Sequence, residues 1–193
     1  MTQAPSIRLR QVGVVAVWVG AFVALSLWFS SLALAASARE LDAGVDAALV
    51  KFDKEVAGGK ALLESSKGVL VFPTVLKGGA GFGGEYGEGA LRVGGKTVDY
   101  YSTLQGSFGF QLGGEIKTVY IVFLEEGALE RFRNSEGWKA GVDGSVSLVT
   151  LGAAGSIDTE KLKDPIVAFV LGQTGLMYNL SFEGTKFTKL NKK

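Results

Sequence analysis

Glu85 and Glu88, three residues apart among glycines, are the side chains whose type and spacing come nearest to chemistry. Two carboxylates can share acid and base work when one is desolvated and the other is not, as in glycoside hydrolysis. The flanking Gly84, Gly87 and Gly89 favour a plainer reading, in which both are loop or strand-edge carboxylates held by backbone N–H groups. Gly79-Ala80-Gly81-Phe82-Gly83-Gly84 meets the spacing of a dinucleotide fingerprint, whose glycines let a pyrophosphate approach a helix N-terminus. The context fails, because strand-like sequence follows, with Tyr86 continuing the face of Phe82. Gly95-Lys96-Thr97 resembles the end of a phosphate loop, but the position five residues before Gly95 is Ala90 and not the required glycine.

The chain has no His and no Cys. That removes the commonest general base and metal ligand, the thiolate nucleophile, the disulfide and any lipid-modified cysteine. A serine nucleophile would need a Lys or carboxylate base, and no G-x-S-x-G elbow presents one. The expectation is a protein that is not an enzyme and takes no cofactor or metal. With 20 Lys+Arg against 19 Asp+Glu, it also lacks the broad positive field that collects nucleic acid.

The elements that would position these residues follow from periodicity. Leu41, Val45, Leu49, Phe52 and Val56 recur at helical spacing, so residues 40–56 form one amphipathic helix. Gly58-Gly59 breaks it, and a short helix from Lys60 to Lys67 ends at Gly68 as a left-handed cap. Val69-Leu70-Val71-Phe72, closed by Pro73, suits a strand buried on both faces. In residues 107–113, Phe108, Phe110 and Leu112 alternate with small or polar residues, leaving one face nearly bare backbone; something lies close against it, or the sheet coils sharply there. Val93-Gly94-Gly95-Lys96 and Gly113-Gly114 are hairpin signals. Glu125 to Arg133 reads as helix, its acids first and its arginines last, in keeping with the helix dipole. Strands follow at 142–148, 166–171, 176–182 and 186–190. The fold class is α+β: a Gly-rich, mostly antiparallel curled sheet or partial barrel, with N-terminal helices and one further short helix packed at one side. The 28 glycines against 3 prolines fit ordered backbone at close quarters better than a linker.

Arg8 and Arg10 precede an uncharged run from Val12 to Ala36 that ends in Ala33-Leu34-Ala35 and Ala36-Ser37-Ala38. This is the layout of a secretory signal peptide over residues 1–38, with the exported protein beginning near Ser37 or Arg39 and residing in the periplasm or envelope. The alternative is an uncleaved inner-membrane anchor through residues 12–36. Losing Arg8 and Arg10 leaves 18 of the 20 bases against 19 acids, so the mature body is near neutral. Lys186, Lys189, Lys192 and Lys193, interleaved with Phe187 and Leu190, make a basic C-terminus that could touch anionic headgroups; the competing reading is a last strand with a solvated tail.

The run from Lys67 to Pro73, continued by Lys77-Gly78-Gly79-Ala80-Gly81-Phe82-Gly83-Gly84-Glu85-Tyr86-Gly87-Glu88-Gly89-Ala90-Leu91, resembles the signature of the SYLF domain family. The resemblance extends through Tyr100-Tyr101, Ser107-Phe108-Gly109, Ala128–Phe132, Gly137-Trp138 and Gly175–Lys186, and so spans residues 39–193. It implies a lipid-binding module. Eukaryotic relatives bind phosphoinositides, yeast-type members also bind actin, and bacterial members are exported envelope proteins. This chain departs from many bacterial relatives in lacking a lipoprotein cysteine, and residues 40–56 carry more acid than base. The expected partner is a lipid or membrane surface, with an envelope protein as the other possibility and actin unsuited to an exported chain. Phe82, Tyr86, Phe108 and Phe110 beside bare glycine faces would admit an acyl chain, and Lys67, Lys77, Arg92 and Lys96 would meet headgroups.

Overall fold

The computed structural model describes residues 36–151, 155–157, 161–175 and 181–192, the side chains of 80–82, 107–112, 161, 174 and 175 excepted. The segment read as signal peptide or anchor, residues 1–35, and most of the expected strand at 176–182 lie outside the described residues.

Helix α1 (Ala38–Glu55) starts at a capping box: the Ser37 hydroxyl accepts from the Glu40 N–H at 3.3 Å, and the Glu40 carboxylate accepts from the Ser37 N–H at 2.9 Å. Its apolar face buries Leu41, Val45, Ala48 and Phe52. Gly58 at φ +79° turns the chain into α2 (Gly59–Ser65). Gly68 is not the cap of that helix. It is buried in the sheet, where a Cβ would stand 3.2 Å from the Arg92 carbonyl oxygen.

Strands β1 (Gly68–Val93) and β2 (Lys96–Phe123) form one antiparallel hairpin of unusual length, closed by Gly94 and Gly95 at φ +57° and +79°. Positive φ at both loop residues is what a two-residue type I′ connection demands. Two expected breaks are absent. Pro73 does not close the strand but sits where the register shifts between Phe72 and Val75; β1 pairs only with β2 among the described residues, and such an edge tolerates a missing N–H. Gly113 and Gly114 are not a turn either, since they pair with Gly79 and Gly78 inside the hairpin.

The hairpin is bent double. Gly89 and Val71 belong to the same strand and would stand about 60 Å apart were it straight, at ~3.3 Å per residue. Instead Gly89 lies against the Val71 carbonyl, and a Cβ on it would come within 2.7 Å of the Phe72 ring. A Cβ on Gly87 would come within 2.9 Å of the Thr74 oxygen. The bend therefore falls between them, over the glycines of 78–84 and 106–114, which we call the arch. The limb formed by 68–75 and 117–123 faces the limb formed by 87–93 and 96–103.

The remaining strands extend each limb. β5 (Ile166–Gly175) pairs with Glu115–Phe123 of β2, and β4 (Ser147–Leu148) pairs with β5 in parallel. β6 (Lys186–Leu190) pairs with Tyr100–Leu104, and β3 (Trp138–Lys139) pairs with β6. Of the strand expected at 142–148, only the last two residues form a strand; Gly144 makes an isolated bridge to Ala140, and Val142 sits in a turn after Gly141 at φ +83°.

Val69 to Phe72 and Val119 to Phe123 are buried on both faces, as the continuous apolar run implied. Leu70, Phe72, Ile121 and Phe123 look into the core between the limbs, with Tyr101, Trp138 and Phe187 from the other limb. Helix α3 (Glu126–Asn134) buries Ala128, Leu129 and Phe132 in that core. Val69, Val71, Tyr120 and Val122 look the other way, against Val45 and Phe52 of α1, where the Tyr120 hydroxyl donates to the Ala48 carbonyl at 2.7 Å. Each of these large side chains contributes about 1.5–3 kcal/mol by burial. Residues 36–193 thus form an α+β unit with its own core, and the described residues contribute a six-stranded, mostly antiparallel sheet curled into a half-barrel.

Candidate binding surface

At the foot of the arch, the polarity of the sheet is inverted. Leu76 and Ile116 are register partners, as are Tyr86 and Leu104, and all four point outward at 48–56% exposure. The residues alternating with them, Lys77, Glu85, Thr103, Glu115 and Lys117, are buried. A solvated antiparallel sheet places apolar groups inside and polar ones outside.

The inward charges hold the bend closed. Lys117, on one limb, places its Nζ 2.7 Å from Glu85 Oε2 on the other. The same ammonium lies 3.9 Å from Glu115 Oε1, and the Glu115 carboxylate accepts no hydrogen bond among the described residues. Removing one member of such a group would leave a buried charge uncompensated, which is why it survives as a set.

On the outward face, register links four strands in one row: Tyr86 on β1, Leu104 on β2, Lys186 on β6 and Lys139 on β3. All four are exposed, and the two lysines stand directly opposite each other. Like charges so placed repel. Neither has an ion pair among the described residues. Lys186 runs over Gly137, where a Cβ would stand 3.0 Å from its Cε. Lys139, Lys186, Leu104, Val142, Gly106 and Gly137 border an open hollow beside the arch. Asp143 also borders it, with its carboxylate engaged by the Lys139 backbone N–H at 2.6 Å.

The rest of the basic C-terminus is consumed internally. Lys189 pairs with Asp99 at 2.7 Å; Lys192 pairs with Glu88 at 2.8 Å and donates to the Ala36 carbonyl at 2.6 Å, so this end is no solvated tail. Lys193 lies outside the described residues. Glu88 also accepts from the Tyr86 hydroxyl at 2.8 Å. Burial pushes the Glu88 carboxyl up, but the hydrogen bonds from Lys192 and Tyr86 outweigh it and hold the group below its ordinary range. Burial, aided by Glu88 as acceptor and neighbouring charge, pushes the Tyr86 phenol up to about 12.

The residues expected to meet lipid are not brought together. Lys67 and Lys96 are exposed at the end where Gly68 meets Arg92, away from the arch. Arg92 is not available for headgroups: it donates to Asp46 at 2.7 Å and lies 3.6 Å from Asp42, tying β1 to α1. Lys77 is buried, so it too meets no headgroup in this fold. Phe82 pairs with Phe108 in the arch and Phe110 follows on β2; their side chains lie outside the described residues. Of the eight, Tyr86 is the one whose described side chain lies on the outward face at the arch. Among the described arch glycines none is crowded: a Cβ on Gly106 or Gly113 would meet nothing within 4 Å, and one on Gly78, Gly84 or Gly114 would meet backbone at ordinary contact distance. Of the two readings of the bare glycine face, sharp coiling is the one realised. Glu85 points inward and Glu88 outward, so the two carboxylates cannot share a substrate. Leu76, Leu104, Ile116 and Lys139 escaped sequence reasoning because each needs the register to show which way it faces.

Residues 104–193 match the family described as Ysc84, Las17-binding protein actin regulator. The match is consistent with the SYLF domain family that the signature run resembles. The matched stretch holds all of β2 from Leu104 onward and every later strand among the described residues, including Ile116, Lys139 and Lys186. The signature run at 67–91 precedes the matched stretch, but β1 pairs with β2 from Gly68 to Val93 and so shares its sheet. No curated protein matches the chain.

Proposed function

We propose that the chain is a non-enzymatic, exported domain of the cell envelope that binds lipid or a membrane surface. The observation that carries this reading is the inverted arch foot, where Leu76, Ile116, Tyr86 and Leu104 face outward while Lys77, Glu85, Glu115 and Lys117 are turned in. Four exposed apolar groups around one bend ask for an apolar or amphipathic partner. The match of residues 104–193 to a family named for binding supports a binding role, and the absence of His and Cys removes most catalytic routes. The actin and Las17 of the family's description are not partners an exported chain would meet.

The test is flotation of residues 36–193, a unit with its own core and helix cap, with liposomes of phosphatidylcholine alone and with added phosphatidylglycerol. Co-flotation is the expected result. Failure to float with either composition at low salt removes the proposal, and a stable protein complex without lipid affinity would favour an envelope interaction module in its place.

A further inference from the structure

We infer that the domain meets anionic membrane in one orientation, with Tyr86 and Leu104 at the bilayer surface and the opposed Lys139 and Lys186 engaging a lipid phosphate. This rests on the lipid-binding reading above and adds the orientation and the headgroup chemistry. Three features of the row Tyr86–Leu104–Lys186–Lys139 point the same way.

The lysines are directly opposed, with Cβ atoms of such pairs about 4.5–5.5 Å apart, so their repulsion is relieved by an anion between or above them. Among the described residues neither lysine reaches an acid within ion-pair distance: the Asp143 carboxylate bordering the hollow is turned to the Lys139 backbone N–H and offsets one of the two charges at most, while Asp99 and Glu88 are taken by Lys189 and Lys192. The same row continues into Leu104 and then Tyr86, with Val142, 72% exposed, across the hollow. A tyrosine beside a leucine and a pair of lysines is the sequence of polarity found on passing from the headgroup level into the acyl region. Charge complementarity therefore selects a membrane carrying net negative lipid over a neutral one or a second copy of this near-neutral chain.

The opposite end supplies the control. Lys67 and Lys96 are also exposed and also sum to two charges, and Leu104 lies eight steps along β2 from Lys96, or about 27 Å at ~3.4 Å per residue. At that distance they lie beyond a Debye length of about 8 Å from a membrane engaged at the arch.

The experiment compares wild type, the double variant K139Q/K186Q and the double variant K67Q/K96Q of residues 36–193 on vesicles of phosphatidylcholine with and without phosphatidylglycerol. K139Q/K186Q should weaken binding to the anionic vesicles about tenfold or more and leave binding to neutral vesicles alone. K67Q/K96Q should stay within about twofold of wild type. The thermal midpoint of K139Q/K186Q should equal or slightly exceed that of wild type, since repulsion is relieved, and this separates lost binding from lost fold. Equal losses in both double variants would show a response to net charge and overturn the orientation while leaving lipid binding intact; so would an unaltered K139Q/K186Q. Displacement by inorganic phosphate beyond its ionic-strength effect would make the ligand a soluble anion and overturn the membrane assignment. Binding of wild type to neither vesicle would overturn the underlying reading and this one with it.

Discussion

Replacing Gly89 with alanine should unfold the bend more effectively than any loss of a single side chain on the surface. An alanine Cβ there would lie 2.7 Å from Phe72 Cδ1 and 2.9 Å from the Val71 carbonyl carbon, against ordinary contacts of 3.4–4 Å. The obstacle is main chain fixed in register with β2, since Val71 pairs with Tyr120 and Phe72 with Val119. Relief thus requires the two limbs to part by about 1 Å, which also loosens Phe72 and its neighbours. Overpacking alone costs about 1–3 kcal/mol, and the added loss of core contact puts the substitution at the upper end, near ~3 kcal/mol. With a urea m-value of about 2 kcal/mol per molar, the unfolding midpoint should fall by about 1.5 M. Gly106→Ala is the matched control, because a Cβ there meets nothing within 4 Å. It should shift the midpoint by no more than about 0.3 M, and upward if the reduced freedom of the unfolded chain dominates. Equal midpoints for the two variants would refute the face-to-face packing of the limbs, and with it the arch.

Three further outcomes follow from the same geometry. Lys117→Met should cost about 3–5 kcal/mol in urea unfolding because buried Glu85 and Glu115 both lose their cation, whereas the triple variant E85L/E115L/K117M should recover most of that; a loss below about 1 kcal/mol for the single change would mean that the set is not a clamp. Glu88 has a folded pKa below its ordinary value of 4.5, so its contribution is complete above that pH and fades as pH falls through the folded value. The thermal midpoint of wild type should therefore drop on acidification more steeply than that of Glu88→Gln, and parallel acid limbs would contradict the assignment. Export with cleavage should leave Ser37 in the mature chain, since a cut after Ala38 would remove the capping box, worth about 1 kcal/mol, as well as the Ala36 carbonyl that Lys192 holds. N-terminal sequencing that returned Arg39 would count against it.

How much of this was legible in the sequence depended on the range of the interaction. The helix faces at 41–52 and 128–132 and the hairpin turn at Gly94-Gly95 rest on contacts within a few residues, and the structure keeps them with boundaries shifted by one or two positions. The doubly buried run 69–72 was readable for the same reason. Gly113-Gly114 looked like a turn because glycine pairs usually are; here they face Gly79 and Gly78 across the hairpin, a relation set by register with residues 34 and 36 positions away. Pro73 looked like a terminator because the edge position of β1 that excuses it is a property of the whole sheet. Arg92 and Lys77 were chosen as surface cations on sequence proximity, and only the packing of α1 and the closure of the limbs show that both are spoken for.

The inverted polarity at the arch is fixed by parity, and this gives it meaning. Side chains alternate along a strand, so a shift of one residue would exchange every inward and outward group. Gly87 and Gly89 must face inward, because only there does bare backbone meet the opposing limb. Glu85 shares their parity and is therefore inside, and Tyr86 is therefore outside; Leu104, opposite Tyr86, follows. No register available to this hairpin could bury Tyr86 and Leu104 while keeping the bend. An isoleucine at position 85 with a threonine at 86 would satisfy the same glycines and give an ordinary core, without a buried carboxylate that needs Lys117. The chain instead places charge inside and leaves four half-exposed apolar side chains outside. Completing the burial of each would contribute about 1 kcal/mol, and two lysines at an anionic surface add about 1 kcal/mol apiece. The sum, near ~6 kcal/mol before the costs of association, suits reversible attachment that weakens with salt. It falls short of an anchor, so a membrane-bound state of the mature domain should be one that washes off.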